Sequence, residues 1–257
     1  MNRIDGKTVV ITGATSGIGE SCAHLFAERG ANLILLARRE ERLNAIREEL
    51  SRTGVDVSVR VHDVRDRALA DELAADLRER GVVPDILLNN AGLARGLATI
   101  QEGDIEDWEE MIDTNVKGLL YMTRAILPLM VERDQGHVIN IGSIAGRWVY
   151  PAGNVYSATK FAVYALNEAM SIDLVDTNVR VSSIDPGAVE TEFSLVRFSG
   201  DEERAEKIYQ GYIPLTPDDV ADAVCYVANA PPHVNVLQLV MMCTDQRSAT
   251  VFYKESR

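Results

Sequence analysis

The chain has 257 residues, of which 46% are hydrophobic, and its 39 acidic and 26 basic side chains give a formal net charge of −13. This length and hydrophobic content suit one large α/β domain or two small ones. The acidic balance argues against nucleic acid or an anionic membrane surface as a partner, because both carry the same sign of charge.

Three cysteines, far apart and odd in number, outline neither a disulfide framework nor a metal site. The four histidines also lack ligand spacing, so no metal is expected. The N-terminal segment "MNRIDGKTVVITG" has charges where a signal peptide needs an apolar run, and no stretch approaches the length of a membrane span. A cytoplasmic protein without a membrane partner is the expectation.

Seven short runs rich in β-branched residues or leucine alternate with amphipathic segments. The predicted strands are 8–12, 32–37, 57–64, 85–92, 137–143, 179–187 and 234–240. The predicted helices lie near 18–29, 40–52, 66–80, 105–133, 154–176 and 217–229. Apolar strands separated by helices are typical of successive βαβ units, so we predict one α/β domain over 1–257 whose parallel sheet is covered on both faces.

The first predicted strand leads into "TGATSGIG", Thr12 to Gly19, and then into a helix. This order is typical of a dinucleotide site, because glycines let the backbone approach the pyrophosphate and the helix N-terminus supplies free N–H groups. The glycine spacing is not the commoner G-x-G-x-x-G, so an ordinary tight turn is the alternative. The predicted cofactor contacts in this loop are Gly13, Thr15, Ser16, Gly17, Ile18 and Gly19.

The end of the second strand predicts which nicotinamide cofactor binds. An acidic residue there bonds the ribose 2′-OH of NAD, whereas arginine accommodates the 2′-phosphate of NADP. This chain has Ala37 followed by Arg38 and Arg39. Two arginines at the start of a helix oppose its dipole, which favours a binding role over two exposed surface residues. We therefore predict NADP(H), with Arg38 and Arg39 among its ligands.

Two more strand ends fit the adenosine half of the cofactor. "HDV" (62–64) contributes Asp63, which can reach the adenine amino group, and Val64. "LNNAG" (88–92) contributes Asn89 and the small residues Ala91 and Gly92, which let the backbone approach the ribose. Each stretch taken singly is also compatible with an ordinary turn.

Residues 188–216 break the alternation and are longer than a usual connection. Such a segment in a compact domain is often a lid, so we predict a substrate loop. The tail, 241–257, is partly apolar, and its Phe252 and Tyr253 make it a candidate contact with a neighbouring subunit.

Six motifs follow one another along the chain: "TGATSGIG", "NNAG", "DTNVKG" with Asn115, "NIGSIAG" with Ser143, "YSATK" with Tyr156 and Lys160, and "DPGAVETEF". In order and spacing the chain resembles the short-chain dehydrogenases/reductases. The resemblance implies a single-domain, doubly wound Rossmann fold with a seven-stranded parallel sheet and a homotetramer built by packing long helices. It implies a catalytic tetrad of Asn115, Ser143, Tyr156 and Lys160, the last two also touching the cofactor. The residues that it places beside the nicotinamide are Pro186, Gly187, Val189 and Thr191.

Physical chemistry supplies a role for each member of the tetrad. Tyr156 would protonate the alkoxide formed from a carbonyl, and Ser143 would donate a hydrogen bond to the substrate oxygen. Lowering a phenol pKa by roughly three units needs about 4 kcal/mol, which a cation such as Lys160 about 4 Å away can provide. By analogy, Asn115 would hold a helix kink and a water linking Lys160 to solvent; a purely structural polar residue is the alternative.

Several stretches, among them "ARREERL", "GNVYSATK" and "TEFSLVRFSGD", resemble one branch more closely, the NADP-dependent 3-hydroxy acid dehydrogenases. The resemblance implies serine, L-allo-threonine, 3-hydroxypropionate or malonic semialdehyde as substrates. A sulfoacetaldehyde reductase forming isethionate is the main alternative. A reductase of a larger carbonyl compound and a non-catalytic cofactor-binding protein are further alternatives.

An anionic substrate needs a cation in the pocket of this acidic protein. Arg147, four residues beyond Ser143, and Arg197, in the predicted substrate loop, are the candidates for a bidentate clamp. A surface arginine and a loop-stabilising ion pair are their respective alternatives. The remaining predicted pocket residues are Tyr150, Asn154 and Phe193.

Overall fold

A seven-stranded, entirely parallel sheet forms the centre of the computed structural model, which describes residues 1–254. Its strands are β1 (Thr8–Thr12), β2 (Asn32–Ala37), β3 (Val57–Val61), β4 (Ile86–Asn89), β5 (Gly136–Ile141), β6 (Val179–Pro186) and β7 (Gln238–Met241). They lie in the order β3-β2-β1-β4-β5-β6-β7, so the chain reverses direction across the sheet between β3 and β4. The predicted doubly wound Rossmann fold is confirmed.

Nine helices flank the sheet in the described part of the chain. They are α1 (Gly17–Glu28), α2 (Glu40–Leu50), α3 (Arg67–Glu79), α4 (Ile105–Ile112), α5 (Leu119–Glu132), α6 (Asn154–Asp173), α7 (Glu192–Arg197), α8 (Glu202–Lys207) and α9 (Pro217–Ala228). Helices α1, α2 and α9 cover one face through residues such as Phe26, Leu43 and Val224. Helices α3 and α5 cover the other face, where Leu77 and Met122 are fully buried. Two apolar layers therefore enclose the sheet, which leaves its carboxyl edge to form a cleft.

The predicted helix 105–133 is interrupted in the structure. One wide, π-helical turn, Asp113–Gly118, joins α4 to α5. A π turn shifts all following side chains around the helix axis, and such turns are frequent at functional sites. Its buried Asn115 points back toward the loop after β4, where Oδ1 accepts from the backbone N–H of Leu93 at 2.8 Å.

The segment 188–216 contains two short helices, α7 and α8, that the sequence pattern does not predict. Thr191 caps α7 by accepting a hydrogen bond from the backbone N–H of Phe193. In the tail, Phe252 packs against Tyr212 of the same chain with ring centres 4.9 Å apart, while Tyr253 is exposed. Phe252 is therefore engaged within the chain, and the last part of the predicted tail contact, 255–257, lies outside the described residues.

Three buried asparagines form a ladder across the sheet. Asn89 donates to Thr123 Oγ1 and to Asn140 Oδ1, both at 3.0 Å. Asn140 then donates to Asn167 Oδ1 at 3.0 Å, and Asn167 donates to the Leu237 carbonyl at 3.1 Å. The ladder joins α5, β4, β5, α6 and the loop before β7 through buried amides, although Asn89 Oδ1 has no hydrogen-bond partner among the described residues.

In the portion of the chain from residue 1 to 254, no helix has both the length and the apolar character needed to cross a membrane.

Candidate active site

A cleft opens along the carboxyl edge of the sheet, between the glycine loop after β1 and helix α7. Most of the predicted cofactor residues line it: Gly13, Thr15, Ser16, Gly17, Ile18, Arg38, Arg39, Asp63, Val64, Ala91, Gly92, Tyr156, Lys160, Pro186, Gly187, Val189 and Thr191. Two do not. Asn89 lies beneath the wall in the asparagine ladder, and Gly19 is buried under the glycine loop.

The glycine loop is shaped by close backbone approach. Gly13 and Gly17 have φ angles of 66° and 53°, the left-handed region that favours glycine. A Cβ on Gly19 would lie 2.3 Å from the carbonyl oxygen of Gly13, so only glycine fits there. The Asn90 amide braces the turn by donating to the carbonyls of Thr12 and Gly13 at 2.9 and 3.1 Å. Asn90 lies inside the "NNAG" motif, but sequence analysis did not give it this role.

The two arginines after β2 differ in their hydrogen bonds. Arg39 donates to Thr15 Oγ1 at 3.2 Å and to Ser16 Oγ at 2.7 Å, so it is fixed against the glycine loop. Arg38 is exposed on the cleft rim, and within residues 1–254 it has neither a hydrogen bond nor an ion pair. A guanidinium on the rim without a protein partner is free to bind an anion.

Glu192, the first residue of α7, bridges the mouth of the cleft. Its carboxylate accepts from Arg39 at 2.9 Å and from Arg42 at 2.8 Å, which lowers its pKa. Beside it, the methyl group of Thr191 would lie 3.1 Å from a Cβ placed on Gly17. The start of α7 therefore lies over the glycine loop. Sequence analysis did not identify Glu192, because both of its partners are about 150 positions away in the chain.

At the adenosine end of the cleft, Asp63 holds Arg65 with Nη2 at 2.6 Å from Oδ2, and this hydrogen bond lowers the pKa of the carboxyl. His62 and Thr114 also line this part of the cleft, and each has a buried polar atom without a protein partner among the described residues. Neither was identified from the sequence, although His62 stands in the quoted "HDV" motif.

Three of the four predicted catalytic residues meet at the far end of the cleft. Ser143 follows β5, while Tyr156 and Lys160 lie one turn apart on α6, and all three line the cleft. The Lys160 Nζ lies 6.0 Å from the centre of the Tyr156 ring and donates to the Ile141 carbonyl at 2.9 Å.

Asn115 lies behind this wall. Its Nδ2 donates to the Leu93 carbonyl at 2.8 Å and to Thr159 Oγ1 at 3.0 Å. Thr159 is the neighbour of Lys160 on α6, so the π turn and the active-site helix are directly joined. Asn115 supports the cleft wall and does not line the cleft.

The protein environment shifts the two ionisable groups in opposite directions. Burial raises the pKa of Tyr156; the nearby Tyr150 adds to the rise, while a hydrogen bond with Ser143 and the charge of Arg197 oppose it. Burial also lowers the pKa of Lys160 to about 8, against the opposing effect of Asp185. The expected lowering of the Tyr156 pKa by Lys160 is not found for the protein groups alone, because desolvation of the phenolate is the larger effect.

Arg197, the last residue of α7, lies beside the phenol. Its guanidinium carbon is 5.6 Å from the ring centre of Tyr156 and 5.5 Å from that of Tyr150. Its Nε donates to the Gly96 carbonyl at 3.0 Å, which fixes the side chain. Phe193 lines the cleft and packs edge-on against Tyr156, with ring centres 5.6 Å apart. The predicted residues Arg197, Tyr150 and Phe193 are thus brought together around the phenol. Phe193 lines the cleft, whereas Arg197 and Tyr150 do not.

The structure does not bring Arg147 to the cleft, so its prediction as a substrate anchor is wrong. Its Nε and Nη2 donate to Asp185 Oδ2 at 2.9 and 2.7 Å, and Nη2 also donates to Gln238 Oε1 at 2.7 Å. A buried carboxylate needs a charged partner, and Asp185 takes Arg147. Asn154 is also outside the cleft lining; it donates to the Ala98 carbonyl at 2.9 Å.

Three comparisons place this geometry among known proteins. The family model described as short chain dehydrogenase matches residues 7–201. The NADP-dependent 3-hydroxy acid dehydrogenase YdfG of Salmonella typhi is 50% identical over 242 residues, which is 94% of this chain and 96% of the relative. Sulfoacetaldehyde reductase of Chromohalobacter salexigens is 45% identical over 239 residues, 93% of this chain and 94% of the relative. A solved structure described as the closed form of serine dehydrogenase complexed with NADP+ has a TM-score of 0.91 and 48% identity, with 97% of this chain and 100% of that chain covered.

Proposed function

Because this chain belongs to the short-chain dehydrogenase family, we propose that it interconverts short, anionic 3-hydroxy acids and their carbonyl forms, with Tyr156 as the acid–base group. The protein is an NADP-dependent oxidoreductase that acts on hydroxyl groups.

The cleft fits the cofactor on the evidence of its own residues. Gly13, Gly17 and Gly19 form a cradle that any Cβ would obstruct or strain, and the N-terminus of α1 opens toward it. The exposed guanidinium of Arg38 would hold the 2′-phosphate. NADPH bound there supplies the hydride for carbonyl reduction.

Tyr156 would supply the proton. Its raised pKa keeps the phenol protonated at neutral pH, as a donor to a developing alkoxide must be. Ser143 would donate to the same substrate oxygen and hold the carbonyl in line with the phenol. The phenolate left behind would be stabilised by the positive charges of Lys160 and Arg197, which both lie near the ring.

The observation that carries the substrate class is the position of Arg197. It places a positive charge, half-buried, directly beside Tyr156, in a protein whose overall charge is −13. A guanidinium can bind a carboxylate or sulfonate through two parallel hydrogen bonds. A substrate whose carbonyl reaches Tyr156 and whose anionic end reaches Arg197 must be short. Serine, L-allo-threonine and 3-hydroxypropionate, with its oxidised form malonic semialdehyde, have this shape.

Sulfoacetaldehyde is the second candidate, because one CH2 group separates its aldehyde from its sulfonate and a reductase of it is 45% identical to this chain. The geometry around Arg197 suits either anion. Reaction rates with malonic semialdehyde and sulfoacetaldehyde therefore have to show whether the substrate carries a carboxylate or a sulfonate.

Initial rates of NADPH oxidation test the proposal with three aldehydes of similar size: malonic semialdehyde, sulfoacetaldehyde and uncharged propanal. We expect the highest kcat/KM for malonic semialdehyde and the lowest for propanal. Sulfoacetaldehyde as the best substrate would transfer the assignment to the second candidate. Propanal as the best substrate would refute the anionic class altogether.

We also propose a homotetramer formed through the outer surfaces of α5 and α6. Leu120, Phe161 and Ile172 on these helices are exposed apolar residues, which supports a contact between copies. Light scattering coupled to size-exclusion chromatography should give the mass of four chains.

A further inference from the structure

Arg147 and Asp185 form a buried ion pair that no step of the proposed reaction uses. The Asp185 side chain is only 3% exposed, and that of Arg147 is 22% exposed. Two nitrogens of the guanidinium meet the same carboxylate oxygen, and the other oxygen accepts from the Ser183 hydroxyl. A pair of this kind is costly to bury and contributes little net stability, so its position in the fold is informative.

The carboxylate of Asp185 lies close to the end of β5, which also carries a contact with Lys160. A Cβ placed on Gly142 would fall 2.0 Å from Asp185 Oδ1, so the carboxylate rests against the backbone of Gly142. The preceding residue, Ile141, provides the carbonyl that accepts from Lys160 Nζ at 2.9 Å. Asp185 and Lys160 therefore contact adjacent residues of the backbone, Gly142 and Ile141.

Arg147 is fixed from three sides. Besides Asp185, it donates to Gln238 Oε1 at 2.7 Å and lies 5.1 Å from the centre of the Tyr164 ring. Tyr164 is one helical turn beyond Lys160 on α6. The guanidinium therefore connects α6, β6 and β7 behind the active site and holds the Asp185 carboxylate in place.

We propose that Arg147 and Asp185 are positioning residues for Lys160: Arg147 holds the Asp185 carboxylate in place, and the negative charge of Asp185 keeps Lys160 protonated. A buried lysine tends to lose its proton because desolvation disfavours the charged form. The fixed carboxylate of Asp185, which contacts the residue next to the one that binds the Lys160 ammonium, opposes that loss. The catalytic consequence of a protonated Lys160 rests on the proposed function. The electrostatic coupling between Asp185 and Lys160 does not depend on that function.

The charges around Lys160 agree with this assignment. Tyr156 faces it from its own helix as a neutral phenol, and the amide of Asn115 approaches from the π turn. From β6, the carboxylate of Asp185 raises the pKa of Lys160 against the larger lowering by burial. Arg147 acts on Asp185 rather than on Lys160 itself.

The test is a direct titration of Lys160. The chain contains five lysines, so protein labelled with ¹³C at lysine Cε gives few signals, and Lys160→Met identifies the one from Lys160. We expect the midpoint of that signal to fall by about half a pH unit or more in Asp185→Asn, the effect of removing one nearby charge. Arg147→Met should lower it in the same direction, because the Asp185 carboxylate loses the cation that holds it in place. Arg147→Lys should restore the wild-type midpoint.

A structural role alone would lower the melting temperature of these variants but leave the Lys160 midpoint unchanged. An unchanged midpoint in folded Asp185→Asn or in folded Arg147→Met would therefore overturn the proposal; Arg147→Gln replaces Arg147→Met if the latter does not fold. The NMR titration needs no substrate, so its result stands apart from the aldehyde assay. Where an aldehyde is reduced, the alkaline limb of kcat/KM should move to lower pH with the NMR midpoint.

Discussion

The guanidinium carbon of Arg197 lies 5.6 Å from the ring centre of Tyr156, which puts a fixed positive charge beside the phenol. Two tasks follow for one side chain. Arg197 lowers the pKa of Tyr156 against the larger effect of burial. Under the proposed function it would also bind the anionic end of the substrate. Its removal should therefore affect charged substrates most.

Replacing Arg197 by methionine removes the charge and keeps most of the volume. We expect kcat/KM for malonic semialdehyde to fall about 10- to 100-fold, the value of one or two charged hydrogen bonds. The rate with propanal should change much less. Arg204→Met, which removes an arginine stacked on Phe198 at 4.5 Å on the next helix, is the matched control. Equal losses for both aldehydes would contradict the anchor.

Tyr156→Phe removes only the hydroxyl that would donate the proton. Turnover should fall by about 10²- to 10⁴-fold, the usual contribution of a positioned acid. NADPH binding, followed by its fluorescence, should persist, because the ring stays in place against Phe193. Tyr226→Phe, at an exposed tyrosine, is the control. Near-normal turnover in Tyr156→Phe would remove this residue from the mechanism.

Arg38→Ser tests whether Arg38 binds the 2′-phosphate of NADP(H). Since Arg38 has no partner among the described residues, its loss should cost the fold nothing while weakening NADPH binding about 10- to 100-fold. NADH binding should be nearly unchanged. Arg67→Ser, on the exposed surface of α3, serves for comparison. An unaltered preference between the two cofactors would show that another group binds the phosphate.

Glu192→Gln tests the bridge between α7 and the arginines after β2. Because Arg39 and Arg42 both hold this carboxylate across the cleft mouth, the neutral variant should release α7 from the glycine loop. We expect NADP+ to dissociate about 3- to 10-fold faster in stopped-flow displacement, the loss of a partly exposed ion pair. Glu190→Gln, two residues earlier and exposed, should not change the rate. The same rate in both variants would mean that the bridge does not retain the cofactor.

Lys160→Met tests the cost of burying a charge at the active site. The folded pKa of Lys160, about 8, lies below the ordinary value of 10.5, so the unfolded chain binds this proton more tightly. Stability from this site is therefore lowest below pH 8 and rises between pH 8 and 10.5. Lys160→Met should stabilise the protein by about 1–3 kcal/mol at pH 7, with a gain that shrinks above pH 8. Chemical denaturation at several pH values measures it, and Lys207→Met, at an exposed lysine, should show no such gain.

The strands, the glycine loop and α6 could be predicted from the sequence, because the residue patterns that indicate them are local. β2 is continuously apolar and followed by arginines, and "YSATK" sets Tyr156 and Lys160 one turn apart wherever a helix forms. The π turn at Asp113–Gly118 was missed because its residues are compatible with an ordinary helix. In the structure, Asn115 of this turn donates to the Leu93 carbonyl in the loop after β4, a contact that the helical pattern does not reveal.

Arg147 and Arg197 show where sequence reasoning reaches its limit. Both are arginines near predicted catalytic motifs, and their spacing from those motifs does not distinguish them. Arg147 turns away because Asp185, 38 positions later in the chain, lies within reach of its guanidinium. Arg197 turns inward because α7 brings it against Gly96, 101 positions earlier. These long-range contacts cannot be obtained from motif spacing.

The ladder of Asn89, Asn140 and Asn167 has a direction, since each amide gives its hydrogens to the next oxygen along the row. Replacing one asparagine leaves the adjacent amide without its partner, so each single replacement should lower the free energy of unfolding strongly. Replacing two neighbouring asparagines together should cost less than the sum of the two single losses. Natural variation or laboratory evolution at these positions should therefore proceed by coupled exchanges, with the three asparagines inherited as a unit.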